Sequence, residues 1–328
     1  MRSKKWLGLF LVLIGSMVLL AACGGGAKIA IGPSGSETNN ISKAILEAYD
    51  IDNYEEFLEG FGDAATQVQD GNIEVSFGVL GLPASSIAEL HSQTGDVTML
   101  SISDEVVAEI EQNTTYQGYT IPQDSYDFLE EDVQTVAAFA ILVGNTDTIS
   151  EELGYELAKL MAENSDEITH AQGRQMTIEN ALNGADGLPL HPGAARYYEE
   201  QGLEFDNPIA EVNVSDQPSE LTLGTGSSGG TYYPLGGEMA NVFNNHIDYV
   251  NVSSRETGAS IENLSQIRDG NMDLGMTVHG PALYALNGED VFEGAGVDNF
   301  AFIGHIYPEI VQIISREEFG ISSFEDLK

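Results

Sequence analysis

The stretches QVQDGNIEV (residues 67–75) and QIRDGNMDL (266–274) are two copies of one sequence pattern. Each copy continues through an apolar strand into a glycine–proline turn, Gly81-Leu82-Pro83 in the first and Gly280-Pro281 in the second. Upstream of each copy, a short apolar strand runs into a Gly/Ser loop that opens a helix. An internal repeat of this kind predicts two lobes that are built alike.

The two Gly/Ser loops, Gly32 to Ser36 and Gly224 to Gly230, follow the first strand of each copy. Strands and helices alternate along the chain from Lys28, which predicts an α/β fold with largely parallel sheets. Ligands of open α/β sheets bind at the carboxyl ends of the strands. Two such edges that face each other would form a cleft that can close like a clam shell.

The composition excludes several functions. The 328 residues include 12 Lys and Arg against 52 Asp and Glu, a formal net charge of −40. A protein with so few basic residues cannot neutralise rows of phosphates, so general nucleic-acid binding is excluded. The single Cys excludes an intrachain disulfide, and the six His are scattered. We therefore predict no metal site and no cofactor.

The first residues have the pattern of a bacterial lipoprotein signal. Three basic residues precede an apolar run from Trp6 to Leu20, which is short for a membrane span. The sole Cys, Cys23, lies where such a signal is cleaved and the new N-terminus is lipidated. This predicts a signal peptide over residues 1–22 and a lipidated Cys with its spacer over 23–27. Acyl chains would then hold the protein at the outer face of the cell membrane.

The acidity of the chain has a consequence for salt dependence. Without the signal, 9 basic and 52 acidic residues remain, a formal charge of −43 that is typical of proteins from salty habitats. At about 1 M salt the Debye length falls to roughly 3 Å, so distant carboxylates no longer repel one another or an anionic solute. We expect folding stability and affinity for an organic anion to rise with salt up to molar concentration. Titration calorimetry at low and molar salt measures this, and an affinity that is flat or falls would contradict it.

The stretch LTLGTGSSGGTYY (221–233) fits two known motifs. The glycines of GTGSSG (224–229) fit the dinucleotide fingerprint, with Glu256 as the acid that would bind the ribose. The letters GSSGG (226–230) fit the nucleophile elbow of a secreted serine esterase, in which Ser228 would attack. The remaining members of that triad would be His305 with Asp290 or Asp298.

A third interpretation, capture of an anionic or polar group by the backbone, suits both Gly/Ser loops. Amides at a helix N-terminus, with Ser and Thr hydroxyls beside them, bind a carboxylate without a formal positive charge. Glycines let the ligand approach the backbone closely. The esterase elbow is missing from the first loop, where Ser36 stands in place of the second glycine. We therefore predict a binding protein that is not an enzyme, with the esterase as the alternative.

Five blocks of the sequence resemble the TAXI solute receptors, the extracytoplasmic binding proteins of one class of TRAP (tripartite ATP-independent periplasmic) transporters. The blocks are GTGSSGGTYYPLGGEMAN (224–241), ETGASIENL (256–264), IYPEIVQII (306–314), GPSGSETNN (32–40) and PLHPGAARYYEE (189–200). The resemblance implies a two-lobed type II periplasmic-binding-protein fold, a small organic acid or amino acid as ligand, and TRAP-type permease membrane subunits as partners. Ala259 departs from the family's Gly, and Val278-His279-Gly280 departs from its Gln-Ser-Asp-like triplet.

The blocks stand in circularly permuted order relative to that family, because its second-lobe and late segments come first here. This order predicts lobe two over 28–132 plus 315–328, lobe one over 133–203 plus 219–314, and a linker over 204–218. We also expect Ala27 and Lys328 to lie close together on the surface of lobe two, which would sit against the membrane.

Ligand contacts are expected from both lobes. From lobe one the candidates are Thr225, Ser227, Ser228, Gly229, Gly230, Thr231, Tyr232, Tyr233, Arg255, Thr257 and Ser260. From lobe two they are Ser34, Gly35, Ser36, Thr38, Gly81 and Leu82. Arg255 is the candidate cation for a bidentate pair with a carboxylate, and its alternative role is a surface charge. One of the two tyrosines is expected to pack in the core instead.

Overall fold

The computed structural model describes residues 26–328. Its strands are β1 (Ala27–Ala30), β2 (Tyr54–Phe57), β3 (Val75–Leu80), β4 (Val97–Met99), β5 (Gln117–Ile121), β6 (Val133–Asn145), β7 (Glu220–Gly224), β8 (Asn251–Arg255), β9 (Leu274–Val278) and β10 (Phe300–Arg316). Its α-helices are α1 (Glu37–Ala48), α2 (Phe61–Gln69), α3 (Ser85–Thr94), α4 (Asp104–Asn113), α5 (Glu151–Glu163), α6 (Pro192–Glu200), α7 (Tyr232–His246), α8 (Ser260–Arg268) and α9 (His279–Asn287). The predicted α/β fold class is confirmed, but the sheet is mixed rather than largely parallel, because β6 and β10 pair antiparallel with their neighbours.

The two copies of the repeat build the same unit. In the first copy β1 lies between β2 and β3, and both pairings are parallel. In the second copy β7 lies between β8 and β9, again with parallel pairings. Helices α1 and α2 connect the strands of the first unit, and α7 and α8 connect those of the second. We call the part built on β7–β9 lobe one and the part built on β1–β3 lobe two.

The repeated sequence places the same contacts at the same point of each unit. The glycines of the two Asp-Gly-Asn turns have φ of 74° and 70°, a conformation that favours glycine. After each turn, an acidic residue accepts a hydrogen bond from the backbone of the first strand. Glu74 accepts from the Lys28 amide at 2.8 Å, and Asp273 accepts from the Thr222 amide at 2.8 Å. Each bond holds the start of the third strand against the first.

Two long strands, β6 and β10, run through both lobes. The first part of β6, Val133 to Ala137, pairs antiparallel with β5, and its later part, Ala140 to Gly144, pairs with β9. Strand β10 pairs with β6 from Phe300 onward and with β3 over Ile310 to Ile314. The lobes are therefore joined by two antiparallel strands whose side chains are almost all buried.

The strand pairing shows where β6 and β10 contact lobe two, next to the predicted boundaries at 133 and 315. The first residues of β6 pair within lobe two, and β10 enters lobe two at Ile310. Both strands are mostly apolar and are buried in both lobes, so no change in overall composition marks the crossing point. The sequence pattern alone therefore could not locate it.

The end of the chain packs on lobe two. The ring of Phe324 stacks on Tyr49, with 4.0 Å between ring centroids. Leu327 is buried in the same hydrophobic cluster as Ile29 of β1. Strand β1 and the last turn of the chain thus belong to the same lobe.

The acidic segment 204–218 contains no helix or strand and lies along lobe one. The Ala210 amide donates to the Leu190 carbonyl at 2.9 Å, and the Asn213 amide donates to the Thr146 carbonyl at 3.2 Å. These bonds attach the segment to one lobe, so it is not a free tether between two.

The predicted signal peptide and the lipidation site Cys23 lie outside the described residues. Within residues 26–328, no helix combines the length and apolar character that crossing a bilayer requires.

Candidate functional site

A cavity of about 70 Å³ lies between the lobes, where the two Gly/Ser loops face each other. Lobe two contributes Gly32, Pro33, Ser36, Glu37, Thr38, Phe61, Val79 and Leu80. Lobe one contributes Gly226, Ser227, Gly230, Thr231, Tyr232, Thr257, Gly258, Ala259, Ser260 and Val278, and strand β10 adds Tyr307 and Glu309. The volume corresponds to about five water positions, which suits a small organic molecule.

Several helices begin at this cavity, among them α1, α7 and α8. Ser36 caps α1, and its hydroxyl accepts a hydrogen bond from the Asn39 amide at 3.2 Å. Ser260 opens α8, and its hydroxyl accepts from the Val278 amide at 3.1 Å. Each helix N-terminus carries a partial positive charge. Several of them at one place favour a negatively charged group without a basic side chain.

One buried amide, that of Asn263 in α8, positions the lobe-one side of the cavity. Its Nδ2 donates to the carbonyls of Thr225 and Met276, each at 2.8 Å. Its Oδ1 accepts from the Thr257 hydroxyl at 2.8 Å. Asn263 thereby joins the loop after β7, the segment before α8 and strand β9.

The lobes touch each other over the cavity. The Thr231 hydroxyl of lobe one accepts a hydrogen bond from the Gly81 amide of lobe two at 2.9 Å. Beside it, Gly62 and Gly229 approach so closely that a Cβ atom added to Gly62 would lie 2.7 Å from the Gly229 Cα. The structure is therefore that of the closed cleft.

Two buried carboxyl groups, those of Glu37 and Glu309, face the cavity. Glu37 is the first residue of α1 and is 7% exposed, whereas Glu309 lies on β10 and is 3% exposed. Burial raises the pKa of each to about 8. Among the described residues of the lining, none is Lys or Arg.

Tyrosine side chains surround these carboxyls. The Tyr307 hydroxyl donates to Glu309, and the Tyr232 ring packs edge-on against Tyr307 with 6.1 Å between centroids. The Tyr232 and Tyr116 hydroxyls and Glu37 Oε2 are buried and make no hydrogen bond of normal geometry among the described residues, although Tyr116 faces Glu37 and Tyr232 faces Glu309. Burial raises the pKa of Tyr232 and Tyr307 well above the ordinary value for tyrosine. Buried polar atoms that lack a partner are costly, so these atoms mark a place where a ligand can supply one.

A family model described as the NMT1-like family matches residues 22–202 and 223–328. The chain belongs to the NMT1-like family. The matched ranges contain every residue of the cavity lining.

Solved structures align with the NMT1-like chain over most of its length at low similarity. A binding protein component of an ABC phosphonate transporter from Pseudomonas aeruginosa has a TM-score of 0.45 and 9% identity, over 92% of this chain and 72% of that chain. A Prochlorococcus marinus protein in complex with methylphosphonate has a TM-score of 0.43 and 10% identity, over 93% of this chain and 83% of that chain. A phosphate-binding protein from Streptococcus pneumoniae has a TM-score of 0.39 and 11% identity, over 92% of this chain and 94% of that chain. Similarity at this level says nothing about the ligand of the NMT1-like chain.

Many of the predicted contact residues lie at the cavity. Those in its lining are Ser36, Thr38, Ser227, Gly230, Thr231, Tyr232, Thr257 and Ser260. Three more lie next to it and hold its walls. The Thr225 hydroxyl donates to the Arg255 carbonyl at 2.6 Å, the Gly81 amide bonds Thr231, and the Leu82 carbonyl accepts from Gln172 at 2.8 Å.

The other predicted contacts are outside the lining: Ser34, Gly35, Ser228, Gly229, Tyr233 and Arg255. The Arg255 side chain is exposed because the residue ends the edge strand β8. Tyr233 is 40% exposed because it follows Tyr232 on α7, where successive side chains point in different directions. In the closed cleft, therefore, Tyr232 lies at the cavity and Tyr233 lies outside it.

Glu37, Tyr307 and Glu309 are not among the contacts that the sequence predicts. The sequence does contain a signal for Tyr307 and Glu309, because Tyr-Pro-Glu interrupts the long apolar run of β10. Charged residues are rarely buried in a strand, so a Glu at such a position indicates a functional role. Glu37 has the pattern of an ordinary acidic residue in the first turn of a helix. Only the closed arrangement of the lobes shows that it is buried.

The residues proposed for an esterase triad do not come together. His305 is 2% exposed, its ring packs against Phe139 with 5.6 Å between centroids, and both ring nitrogens lack a partner among the described residues. Ser228 is exposed in a separate recess beside Gly60 and Gly62. Burial also lowers the pKa of His305 to about 4. The histidine belongs to the interior of lobe one and forms no pair with Ser228.

The dinucleotide interpretation is not supported by the loop geometry either. The Glu256 carboxylate, proposed for the ribose, accepts a hydrogen bond from the Ser228 amide of the loop itself at 2.8 Å. Gly229, the third glycine of the fingerprint, would have to pack its own helix against its own strand, but it lies against Gly62 of the other lobe. Within residues 26–328, no group of three or more His, Cys, Asp or Glu side chains could hold a metal ion.

Proposed function

We propose that this protein is an extracytoplasmic receptor that captures a small organic acid or amino acid between its lobes and delivers it to a membrane permease. The observation that carries the proposal is the buried cavity at the meeting point of several helix N-termini, closed by contacts between the lobes. Such a site binds a carboxylate through backbone dipoles and hydroxyl groups. The two crossing strands provide the hinge that opening and closing requires.

The proposed partner is a TRAP-type permease, as for the TAXI receptors. Four of the five blocks that resemble those receptors contribute residues to the cavity lining. This concentration of the resemblance at the site supports membership of the TAXI class within the NMT1-like family.

The proposed location is the outer face of the cell membrane, through a lipid on Cys23. The order of the lobes is proposed to be a circular permutation of the TAXI order. That β1 and the last turn of the chain pack on the same lobe supports this proposal. Metabolic labelling with a fatty-acid analogue tests the anchor, since Cys23→Ser should abolish incorporation into the protein.

Identification of the solute tests the function. The protein is purified from its own host, and the solute released by denaturation is identified by mass spectrometry and titrated back by calorimetry. We expect one small solute in stoichiometric amount, and about a tenfold loss of affinity for Thr231→Val, which removes a hydroxyl at the cavity. Tyr233→Phe, outside the lining, is the control. Stoichiometric labelling of Ser228 by a fluorophosphonate would instead support the esterase.

A further inference from the structure

We propose that the solute carries a primary amino group beside its carboxylate, and that Glu37 and Glu309 bind its ammonium. The inference rests on the proposed function and deepens it. It assigns the cavity to a zwitterionic amino acid, and it excludes carboxylic acids of the same size that lack the amine.

The first argument is the pair of unpartnered polar atoms. Glu37 and Tyr232 occupy equivalent positions, the first residues of α1 and α7. Their side chains are 7% and 5% exposed, and Glu37 Oε2 and the Tyr232 hydroxyl make no hydrogen bond of normal geometry among the described residues. An ammonium has three donors and no acceptor, so it can satisfy several oxygen atoms that line one small cavity.

The second argument is the charge of the lining. Its ionisable acidic groups, within the described residues, are Glu37 and Glu309, and no basic side chain accompanies them. Arg255 is exposed and outside the lining. A solute with carboxylates alone offers these two buried carboxyls no positively charged donor. An amino acid brings the positive charge that the site lacks.

The start of α8 also lines this cavity. Thr257, Gly258 and Ser260 surround the start of α8, a helix of nine residues. The dipole and amides of this helix suit the carboxylate of the solute. In an amino acid the carboxylate and the ammonium are on the same carbon atom. The groups that bind them must therefore line one small cavity, as Glu37, Glu309 and the start of α8 do.

A different ligand chemistry would use the same carboxyls in protonated form. A neutral carboxylic acid can donate a hydrogen bond to an anion. In that case an oxo acid or a hydroxy acid would bind as well as the amino acid of the same skeleton. Matched pairs of solutes separate the two possibilities.

The experiment uses the full chain and calorimetry at pH 7 in 1 M NaCl. The pairs are L-alanine with pyruvate, L-alanine with L-lactate, and L-glutamate with 2-oxoglutarate. We expect at least one amino acid to bind at least about 30-fold more tightly than its amine-free partner, because that partner leaves buried carboxyls unpaired. Equal or tighter binding of the amine-free partners would overturn the inference.

Variants identify the carboxyls that are responsible. Glu37→Gln and Glu309→Gln are each expected to weaken amino-acid binding at least about 30-fold and to reduce the preference over the oxo acid to within about threefold. Glu47→Gln, an exposed residue on the same helix α1, makes the same charge change and should leave both values unaltered. Circular dichroism establishes that each variant is folded. A preference that survives in folded Glu37→Gln and Glu309→Gln would also overturn the inference.

The panel also contains inorganic phosphate, methylphosphonate, acetate and glucose. Binding of these alone would overturn the amino-acid assignment and leave the receptor function standing. If no solute binds and none co-purifies, both proposals fail.

Discussion

The two repeated units have the same backbone and different chemistry at the cavity. Both place the first residue of their first helix there, but that residue is Glu37 in one unit and Tyr232 in the other. The preceding residues also differ in use. Ser36 caps its own helix, whereas Thr231 leaves α7 uncapped and bonds Gly81 of the opposite lobe. The repeat thus gives the two units the same backbone geometry at the cavity. The different side chains at equivalent positions determine which ligand the cavity can bind.

A second difference concerns where the units touch. Gly62 lies at the start of the second helix of its unit, whereas Gly229 lies in the loop before the first helix of the other. The closing contact therefore joins positions that are not equivalent in the repeat. The two units meet without exact symmetry, which leaves the cavity lined unequally by the two lobes.

The largest expected effect is on closure. Gly229→Ala places a Cβ 2.2 Å from the Gly62 Cα, so the lobes cannot approach fully. We expect about a 100-fold loss of affinity for the solute, because a ligand that binds the closed state cannot select it. Small-angle scattering should show that the variant stays open when solute is added. Gly62→Ala, the other side of the contact, should have the same effect.

Gly237→Ala is the matched control for closure. A Cβ at Gly237, within helix α7, meets its nearest neighbour at 3.8 Å. This variant should bind normally and gain up to about 1 kcal/mol of stability from helix propensity. If Gly229→Ala and Gly62→Ala bind the solute as tightly as Gly237→Ala does, the contact between Gly62 and Gly229 is irrelevant to binding.

The next effect is the pH dependence of stability, which should differ between variants at Glu37 and at its counterpart Tyr232. The folded protein holds protons on Glu37 and Glu309 up to about pH 8, whereas the unfolded chain releases them near the ordinary value of 4.5. The folded state thus binds more protons between these values, and the free energy of unfolding without solute falls as pH rises from about 5 to 8. The groups that face these carboxyls are Tyr116, Asn40, Asp290, Tyr232 and Tyr307.

Denaturant titrations from pH 5 to 8 measure this contribution. Glu37→Gln should reduce the slope by roughly 1 kcal/mol per pH unit, since one titrating group is lost. Tyr232→Phe, the same position in the other unit, should keep the slope because that hydroxyl does not titrate below pH 10. An unchanged slope in Glu37→Gln would mean that Glu37 is not buried in solution.

A smaller effect compares the acids of the two copied stretches. Asp273→Ala should cost about 1.5 kcal/mol of unfolding free energy, because its bond to the Thr222 amide is partly buried. Glu74→Ala should cost about 0.5 kcal/mol, because its bond to the Lys28 amide is exposed to water. Urea denaturation measures both. If Glu74→Ala lowers the free energy of unfolding more than Asp273→Ala does, the unit built on β7–β9 does not depend on its acid–amide hydrogen bond more than the unit built on β1–β3 does.

The smallest effect concerns backbone strain at the cavity. Ala259, which precedes α8, has φ of 69° and ψ of −144°, a conformation that strongly favours glycine. Ala259→Gly should therefore raise the free energy of unfolding by about 1 kcal/mol. In the other unit Gly35 has φ of 75° with open space around it, so Gly35→Ala should lower that free energy by a similar amount. Thermal unfolding of the two variants measures both changes, and the melting temperature should rise for Ala259→Gly and fall for Gly35→Ala.

The repeat and the apolar strands made most of the fold predictable, because strand–helix alternation is local information. The contacts supplied by loops at helix starts, such as Thr231 and Ser260, were predictable for the same reason. Arg255 was the preferred cation, yet it is exposed at the end of an edge strand. Glu37 and Glu309 were not predicted, because the burial of a carboxyl depends on groups that are distant in sequence.

The sequence alone determined that two like units exist, that each presents a Gly/Ser loop at a helix start, and that no basic surface is available for polyanions. These features follow from local patterns and from composition. The tertiary structure decided where β6 and β10 pass between the lobes and which of two adjacent tyrosines lies at the cavity. It also decided that Glu37, Tyr232 and Glu309 share one buried space. Burial and pKa depend on atoms brought from both lobes into a place of low dielectric, which no single stretch of the chain specifies.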